Sequence, residues 1–297
     1  MILVRLSGGL GNQMFQYAVG RALAEKHKAV LKLDLTLLNE RKNIPANQVF
    51  REYDLDVFSM EQNFATQEEV EYFNPVSKNI FSRINYRIRR KLRPKELYIA
   101  RFRHFDPAVL ELPDDVCLVG SWQSEKYFNS ISQIIRRDFT FRKEFDAETE
   151  KLAARILSGN SVCINFRRTD YVSNPLYKEL LGAMDIEFYN KAIQYIRDRV
   201  KDLVLFVFSD DLEWCKQNMK FDLPVTFVTE EFYGEKYSFK LKLMSLCAHF
   251  IIPNSTFGWW AAWLGTNPDK LVVAPQRWYK DTSFDSKDIV PDKWIKL

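Results

Sequence analysis

A chain of 297 residues has room for about two domains of ordinary size, and 46% hydrophobic with 28% charged content fits a soluble globular protein with a sizeable core. A net charge of +4 is too mild for a nucleic-acid binder, and no apolar run approaches the ~20 residues that span a bilayer. The opening MILVRLSGGLGNQ has no charged leader followed by a long apolar stretch, so a cytoplasmic protein is expected.

In chain order, MILVRL reads as a short buried strand and SGGLGNQ as a glycine-rich turn. Residues 14–26 place Met14, Tyr17, Ala18, Ala22 and Leu23 at helical spacing, and AVLKLDL is a second strand, which makes a β-loop-α-β start. Residues 36–110 give mixed helical and irregular signals. Within them, residues 82–95 (SRINYRIRRKLRPK) hold seven basic groups and no acid. That run reads first as a solvated helix face before Pro94, and second as a peripheral contact with an anionic membrane or glycolipid. VCLVGSW at 116–122 reads as a strand and residues 125–137 as a helix. A polar stretch, RKEFDAETEKLAARILSGN, bridges to the second half, which divides the chain into domains at 1–150 and 151–297.

Alternation is clear in the second half. SVCINF is a strand, and DIEFYNKAIQYIRDRV is a helix with Tyr189, Ala192, Ile193, Ile196 and Val200 on one face. LVLFVFS is a strand, followed by DDLEWCKQNMK, a short helix with Asp210 at its expected N-cap. VTFVT is a strand, and SFKLKLMSLCAHF is a helix turning Leu243, Leu246, Cys247 and Phe250 inward. FIIPN, STFGWWAAWLG and LVVAP complete the series as strand, helix and strand. Strands alternating with helices predict parallel sheets covered on both faces, hence an α/β fold of two Rossmann-like domains facing a cleft.

Open α/β sheets bind ligands beyond the C-terminal ends of their strands. Arg167 and Arg168 fall at the end of SVCINF, Ser209 to Asp211 at the end of LVLFVFS, and NSTFGWW where a strand gives way to a helix N-terminus. A guanidinium pair, carboxylates and an anion-ready helix end together suit a diphosphate-containing ligand. Taken singly, an Arg-Arg pair is ordinary surface charge and an Asp before a helix is an ordinary cap. Their placement at successive strand ends carries the reading.

Other motifs carry less. GGLGNQMF followed by Asp34 resembles a dinucleotide fingerprint, but Met14 stands where the third glycine belongs, which leaves a nicotinamide-dependent oxidoreductase as a weaker alternative. DLD at 54–56 has the DxD form of a metal site without the apolar strand that would present it. Cys117, Cys163, Cys215 and Cys247 are scattered through apolar sequence and read as reduced core residues. Three distant histidines give zinc little to bind, so no metal site is expected.

GGLGNQMFQYA, SWQSEKYF, FRRTDYV, FSDDLEWC and IIPNSTFGWWAAWLG, in that order over nearly the whole chain, resemble the α-1,2-fucosyltransferases of bacteria and animals. The resemblance implies a GT-B-like fold, GDP-fucose as donor substrate, no cofactor or metal, and inverting transfer to the 2-hydroxyl of a terminal galactose in a lipopolysaccharide, capsule or oligosaccharide glycan. It also implies an acceptor-side N-terminal domain and a GDP-fucose-binding C-terminal domain. The family's HxRRxD motif falls on Asn165, Arg167, Arg168 and Asp170. By that resemblance Arg167 holds the β-phosphate, Arg168 supports it, and Asp170 orients the arginines or reaches the nucleotide. Asp210 and Asp211 read guanine, and Ser255 and Thr256 meet the diphosphate. Asn12, on the loop of Gly9 and Gly11, closes over the donor near the reacting carbon. Asp170, or the region of Asp185 and Glu187, supplies a candidate base. The chain departs from the motif at Asn165, where the family has histidine. An amide can position but cannot titrate, so a catalytically silent glycan- or nucleotide-binding protein stands as a further alternative.

Overall fold

The computed structural model describes residues 1–39, 51–73 and 97–297, and the basic stretch 82–95 lies outside the described residues. The chain divides into two compact units, Met1–Thr140 and Phe141–Leu297. The division comes ten residues before the expected boundary, because the polar stretch after it already folds with the second unit. Asp146 caps the helix Ala147–Leu157 there by accepting from the Thr149 amide.

The first unit holds strands β1 (Ile2–Arg5), β2 (Leu31–Asp34), β3 (Leu97–Ile99) and β4 (Val116–Val119) in the order β2-β1-β4-β3, all parallel. β1 is buried and apolar on both faces, as a central parallel strand requires. Helix α1 (Leu10–His27) starts inside the glycine-rich turn, four residues earlier than the spacing predicts. Gly8 takes the left-handed conformation at φ +76°, which turns the chain sharply from β1 into the helix. The segment expected as a helix at 125–137 forms two short 3₁₀ turns before α2 (Ser132–Asp138).

The second unit opens with α3 (Ala147–Leu157) and builds a six-stranded parallel sheet. Its strands are β5 (Asn160–Asn165), β6 (Leu203–Phe208), β7 (Val225–Phe227), β8 (His249–Ile251), β9 (Val272–Ala274) and β10 (Ile295–Lys296). The order is β10-β9-β8-β5-β6-β7. From β5 the chain runs outward through β6 and β7, then returns to the other side of β5 for β8, β9 and β10. The winding direction therefore reverses between β5 and β8, the switch point where doubly wound sheets bind ligands.

The helices around this sheet are α4 (Ile186–Arg197), α5 (Leu212–Asn218), α6 (Ser238–Ser245) and α7 (Thr256–Leu264). α4 is capped by Asp185 and buries Tyr189, Ala192 and Ile196 against β5 and β6. α6 is shorter than the sequence predicts. It ends at Ser245, so Phe250 faces inward from β8 rather than from the helix. α7 buries Trp259, Trp260 and Trp263. A helix apolar on all sides is stable only inside a protein.

Candidate active site

Strand β5 sets the site by its alternation. Phe166, one residue past the strand, stacks on Tyr189 of α4 at 3.9 Å between ring centroids. The neighbouring Asn165 points to the opposite face, toward α7. It is 4% exposed, and its Nδ2 donates to the Phe208 carbonyl at 3.3 Å. A Cβ at Gly258 would lie 2.6 Å from Asn165 Oδ1, so the glycine leaves room for the Asn165 amide between β5 and α7. Asn165 is thus a wedge between strand and helix rather than a surface group.

Beyond it the two arginines diverge. Arg167 ion-pairs with Asp170 and, through Nη1 at 3.0 Å, with Asp210. Arg168 lays its guanidinium 3.4 Å from the Trp214 ring centre, a close cation–π contact. Its Nε is buried without a hydrogen bond, and Asp211 Oδ2 stands 3.8 Å away. A buried guanidinium donor of this kind suits an arriving anion.

The carboxylates of FSDD have different tasks from those expected. Asp211, not Asp210, is the N-cap of α5 and accepts from the Trp214 amide at 3.2 Å. Asp210 instead crosses to the end of β5. One oxygen accepts from the Arg168 amide at 2.8 Å and the other from the Thr169 amide at 3.2 Å, while the Thr169 hydroxyl donates back to the Asp210 carbonyl at 3.0 Å. Asp210 therefore fixes the loop that carries both arginines. At β8, Ser255 precedes α7 in extended conformation, and its hydroxyl makes no capping bond to the helix. The helix start at Thr256 keeps amide donors of the kind that bind anions. Tyr171 ties the two strand ends together by donating to the Asn254 carbonyl at 3.0 Å.

Arg167, Arg168, Asp170, Asp210 and Asp211 thus cluster beyond β5 and β6, and Ser255 and Thr256 follow β8, the strand beside β5. The structure gives other work to Asp185, the α4 cap, and to Glu187, which pairs with Lys191 on the surface at 2.6 Å. Sequence reasoning misses Tyr171, Trp214 and Lys240. Lys240 had a signal: it precedes Leu243, Met244 and Cys247 by three, four and seven residues, which puts a lysine on the apolar stripe.

Asn12, Gly9 and Gly11 belong to the first unit and have a constellation of their own at the switch between β1 and β4. Gly9 is the N-cap of α1, and Gly11 is buried in its first turn. Asn12 Oδ1 accepts from Gln123 Nε2 at 2.9 Å, and Gln16 Nε2 donates to the Gly120 carbonyl at 3.0 Å. Gln13 holds the Gly8 and Glu52 carbonyls and the Asp54 amide, so the turn is pinned by a side-chain amide. Asp34 is 1% exposed and engaged by Arg5 Nε at 2.6 Å and by the amide and hydroxyl of Thr36. Both of its oxygens are thus already engaged within the first unit, which weakens the basis of the oxidoreductase alternative. Among the described residues, no group of three or more His, Cys, Asp or Glu is placed to hold a metal ion, and no helix is long and apolar enough to cross a membrane.

The model of glycosyl transferase family 11 matches residues 1–297. An alpha-1,2-colitosyltransferase of Escherichia coli is 32% identical over 100% of this chain and 99% of its own length. The O-antigen biosynthesis glycosyltransferase WbnK of Escherichia coli is 31% identical over 98% and 99%. Human galactoside alpha-(1,2)-fucosyltransferase 1 is 28% identical over 46% of this chain and 40% of its own. Among solved structures, the alpha-1,6-fucosyltransferase NodZ co-crystallized with GDP has a TM-score of 0.51 at 16% identity, covering 88% of this chain and 91% of that one. A mutant of Arabidopsis thaliana FUT1 in complex with GDP has a TM-score of 0.50 at 11% identity, covering 98% and 74%. These two likenesses show the fold, the GT-B type built on parallel α/β sheets. With the family match spanning both units and two relatives above 30% identity aligned end to end, the chain belongs to glycosyl transferase family 11.

Proposed function

We propose that the protein transfers L-fucose, or its 3-deoxy analogue colitose, from a GDP-linked donor to the 2-hydroxyl of a terminal galactose in a cell-surface glycan. Transfer inverts the anomeric carbon and needs no metal. The observation that carries this reading is the Arg167–Asp210–Asp170 cluster at the switch point, beside the helix end at Ser255 and Thr256, in a family 11 chain. The α-1,2 linkage and the pair of candidate sugars come from the names of the relatives. GDP is the nucleotide bound in both structural neighbours.

In this reading the acceptor hydroxyl oxygen attacks the anomeric carbon as the bond to the β-phosphate oxygen breaks, its proton passes to Asp170 or to solvent water, and GDP departs with the bonding pair. Arg167 meets the charge growing on the β-phosphate, Arg168 supplies its Nε, and the amides at the start of α7 add partial positive charge. Asp170 aims Arg167. Asp210 holds the loop in register, which leaves Asp211 as the better-placed carboxylate to meet guanine. The second unit is the donor side and the first unit the acceptor side. The protein works in the cytoplasm in this reading, with the basic stretch 82–95 first a solvated surface and second a peripheral contact with anionic membrane or glycolipid.

The test is transfer from GDP-fucose and GDP-colitose, in parallel, to galactose-terminated oligosaccharides, with linkage analysis of the product. An α-1,2-linked product from either donor supports the reading. GDP binding without transfer to any galactose-terminated acceptor would favour the silent binding protein, and a product with another linkage would refute the proposed acceptor position.

A further inference from the structure

The second unit buries a lysine for which the mechanism above has no use. Lys240 lies in the first turn of α6 and is 6% exposed. Its Nζ donates to the Ser209 carbonyl at 2.9 Å and stands 4.2 Å from the centre of the Tyr233 ring. No described carboxylate is within ion-pair distance of it. Burying an ammonium without a carboxylate is costly, so its place beside the arginine cluster calls for a reason.

The charges facing it supply one. Asp210 and Arg167 face Lys240 from the two strand ends, Cys163 from β5 and Glu230 from the turn that carries Tyr233. Arg167 is already engaged by two carboxylates, Asp170 and Asp210. Counting Asp211, three carboxylates surround two guanidinium groups. That cluster alone is net negative and would repel a diphosphate. Glu230 adds a further negative charge, one more cation offsets part of the excess, and the helix start at Thr256 favours an anion.

We propose that Lys240 is a positioning residue of the donor site, a third cation that offsets Asp210 from behind and frees Arg167 to hold a nucleoside diphosphate. This rests on the diphosphate reading of Arg167. Lys240 acts through Asp210 and Arg167 and does not touch the sugar. The Tyr233 hydroxyl also donates to the Ser209 carbonyl, at 2.8 Å, so the strand end keeps its geometry without the lysine.

Burial lowers the Lys240 pKa to about 8, with Asp210 raising it and Arg167 lowering it. The cation is therefore present below that pH and lost above it. A bound diphosphate favours the charged form, so binding near pH 8.5 must draw a proton from solution. Cys163 and Tyr233 are both raised well clear of this window by burial.

The experiment is calorimetric titration of the full chain with GDP at pH 7 and 8.5, in pairs of buffers with different ionisation enthalpies. Expected is net proton uptake at pH 8.5, absent in Lys240→Met. The variant should also bind GDP at least about tenfold more weakly at pH 7, the scale of one partly screened charge at several ångströms. Lys240→Arg keeps its charge and should bind without uptake and without loss of affinity between pH 7 and 8.5. Arg167→Lys should bind weakly yet retain the uptake. Equal uptake in Lys240→Met, or none in the wild type, would overturn the role of Lys240 while leaving that of Arg167 standing. A wild-type chain that binds no GDP would overturn the diphosphate reading and this inference with it.

Discussion

Arg167 offers a planar fork that can hold two oxygens at once, and lysine has the charge without the fork. If Arg167 meets charge that appears as GDP leaves, Arg167→Lys removes an interaction that strengthens toward the transition state. Turnover should then fall by about 10²–10³-fold, the cost of losing one oxyanion donor, with a smaller rise in donor KM. The fold should survive, because β5 is held by Val162, Ile164 and Phe166, all buried. Near-normal turnover in the folded variant would make Arg167 a structural residue. Lys240 carries a second residue-level expectation, on stability. Its folded pKa, about 8, lies below its ordinary value of 10.5. Between those values the unfolded chain binds more protons than the folded one, so this group makes stability rise with pH. The cost of burying its charge is fully present below pH 8. Lys240→Met removes that cost and should melt higher than the wild type at pH 7, by at most on the order of 3 kcal/mol. The advantage should shrink as pH rises from 8 to 10. A variant that melts lower at pH 7 and shows no such trend would mean that the lysine is a net structural anchor.

Strands and helices in the second unit were legible because each carries its own period. SVCINF and LVLFVF are apolar runs of strand length, and the helix 186–197 repeats its buried residues every three or four positions. What local pattern could not reveal was which strand lies beside which. The placement of β8 against β5 brings the α7 start beside the arginines, and it depends on pairings nearly 90 residues apart. The same limit hid the true task of Asp210. As a carboxylate before a helix it reads as a cap, yet its partners are amides 41 and 42 residues away. Sequence placed Arg167, Arg168 and Asp170 at the end of β5, but buried Lys240 and half-buried Trp214 show their role only through neighbours. The contact between β5 and α7 is also such a product of assembly, and it can be tested. Gly258→Ala puts a Cβ 2.6 Å from Asn165 Oδ1, so the buried Asn165 amide must give way or the strand and helix must part. Overpacking at such a site costs about 1–3 kcal/mol. Where the shift reaches the β5 end beside Arg167, donor KM should rise as well. Asn165→Ala should relieve part of the penalty, a coupling that a double-mutant cycle measures. Strictly additive effects would mean that the two residues do not share the contact.

At the scale of the whole molecule, both sheets place polar loops beyond the C-terminal ends of parallel strands, at the point where strand order reverses. The first unit carries amides there, Asn12, Gln16 and Gln123, while the second carries guanidinium groups, carboxylates and a buried ammonium. This division of chemistry bears on metal dependence. A divalent ion of the Mg²⁺ kind is held by one or two carboxylates together with substrate phosphates, and it needs carboxylate oxygens that are not otherwise occupied. Asp210 spends both oxygens on backbone amides and one of them also on Arg167. Asp170 pairs with Arg167, and Asp211 caps α5 while facing Arg168. The DLD carboxylates lie on a short 3₁₀ turn in the first unit, with the Asp54 amide bound to Gln13. Charge on the departing diphosphate is therefore expected to be met by Arg167, Arg168 and the α7 start. Turnover in excess EDTA should equal turnover with added Mg²⁺ or Mn²⁺. Adding salt, by contrast, should weaken donor binding, because the groups replacing the metal are partly exposed and their attraction is screened over about 10 Å at 0.1 M. An enzyme that stops in EDTA and recovers with Mn²⁺ would show that carboxylates now read as loop anchors release their partners to bind an ion.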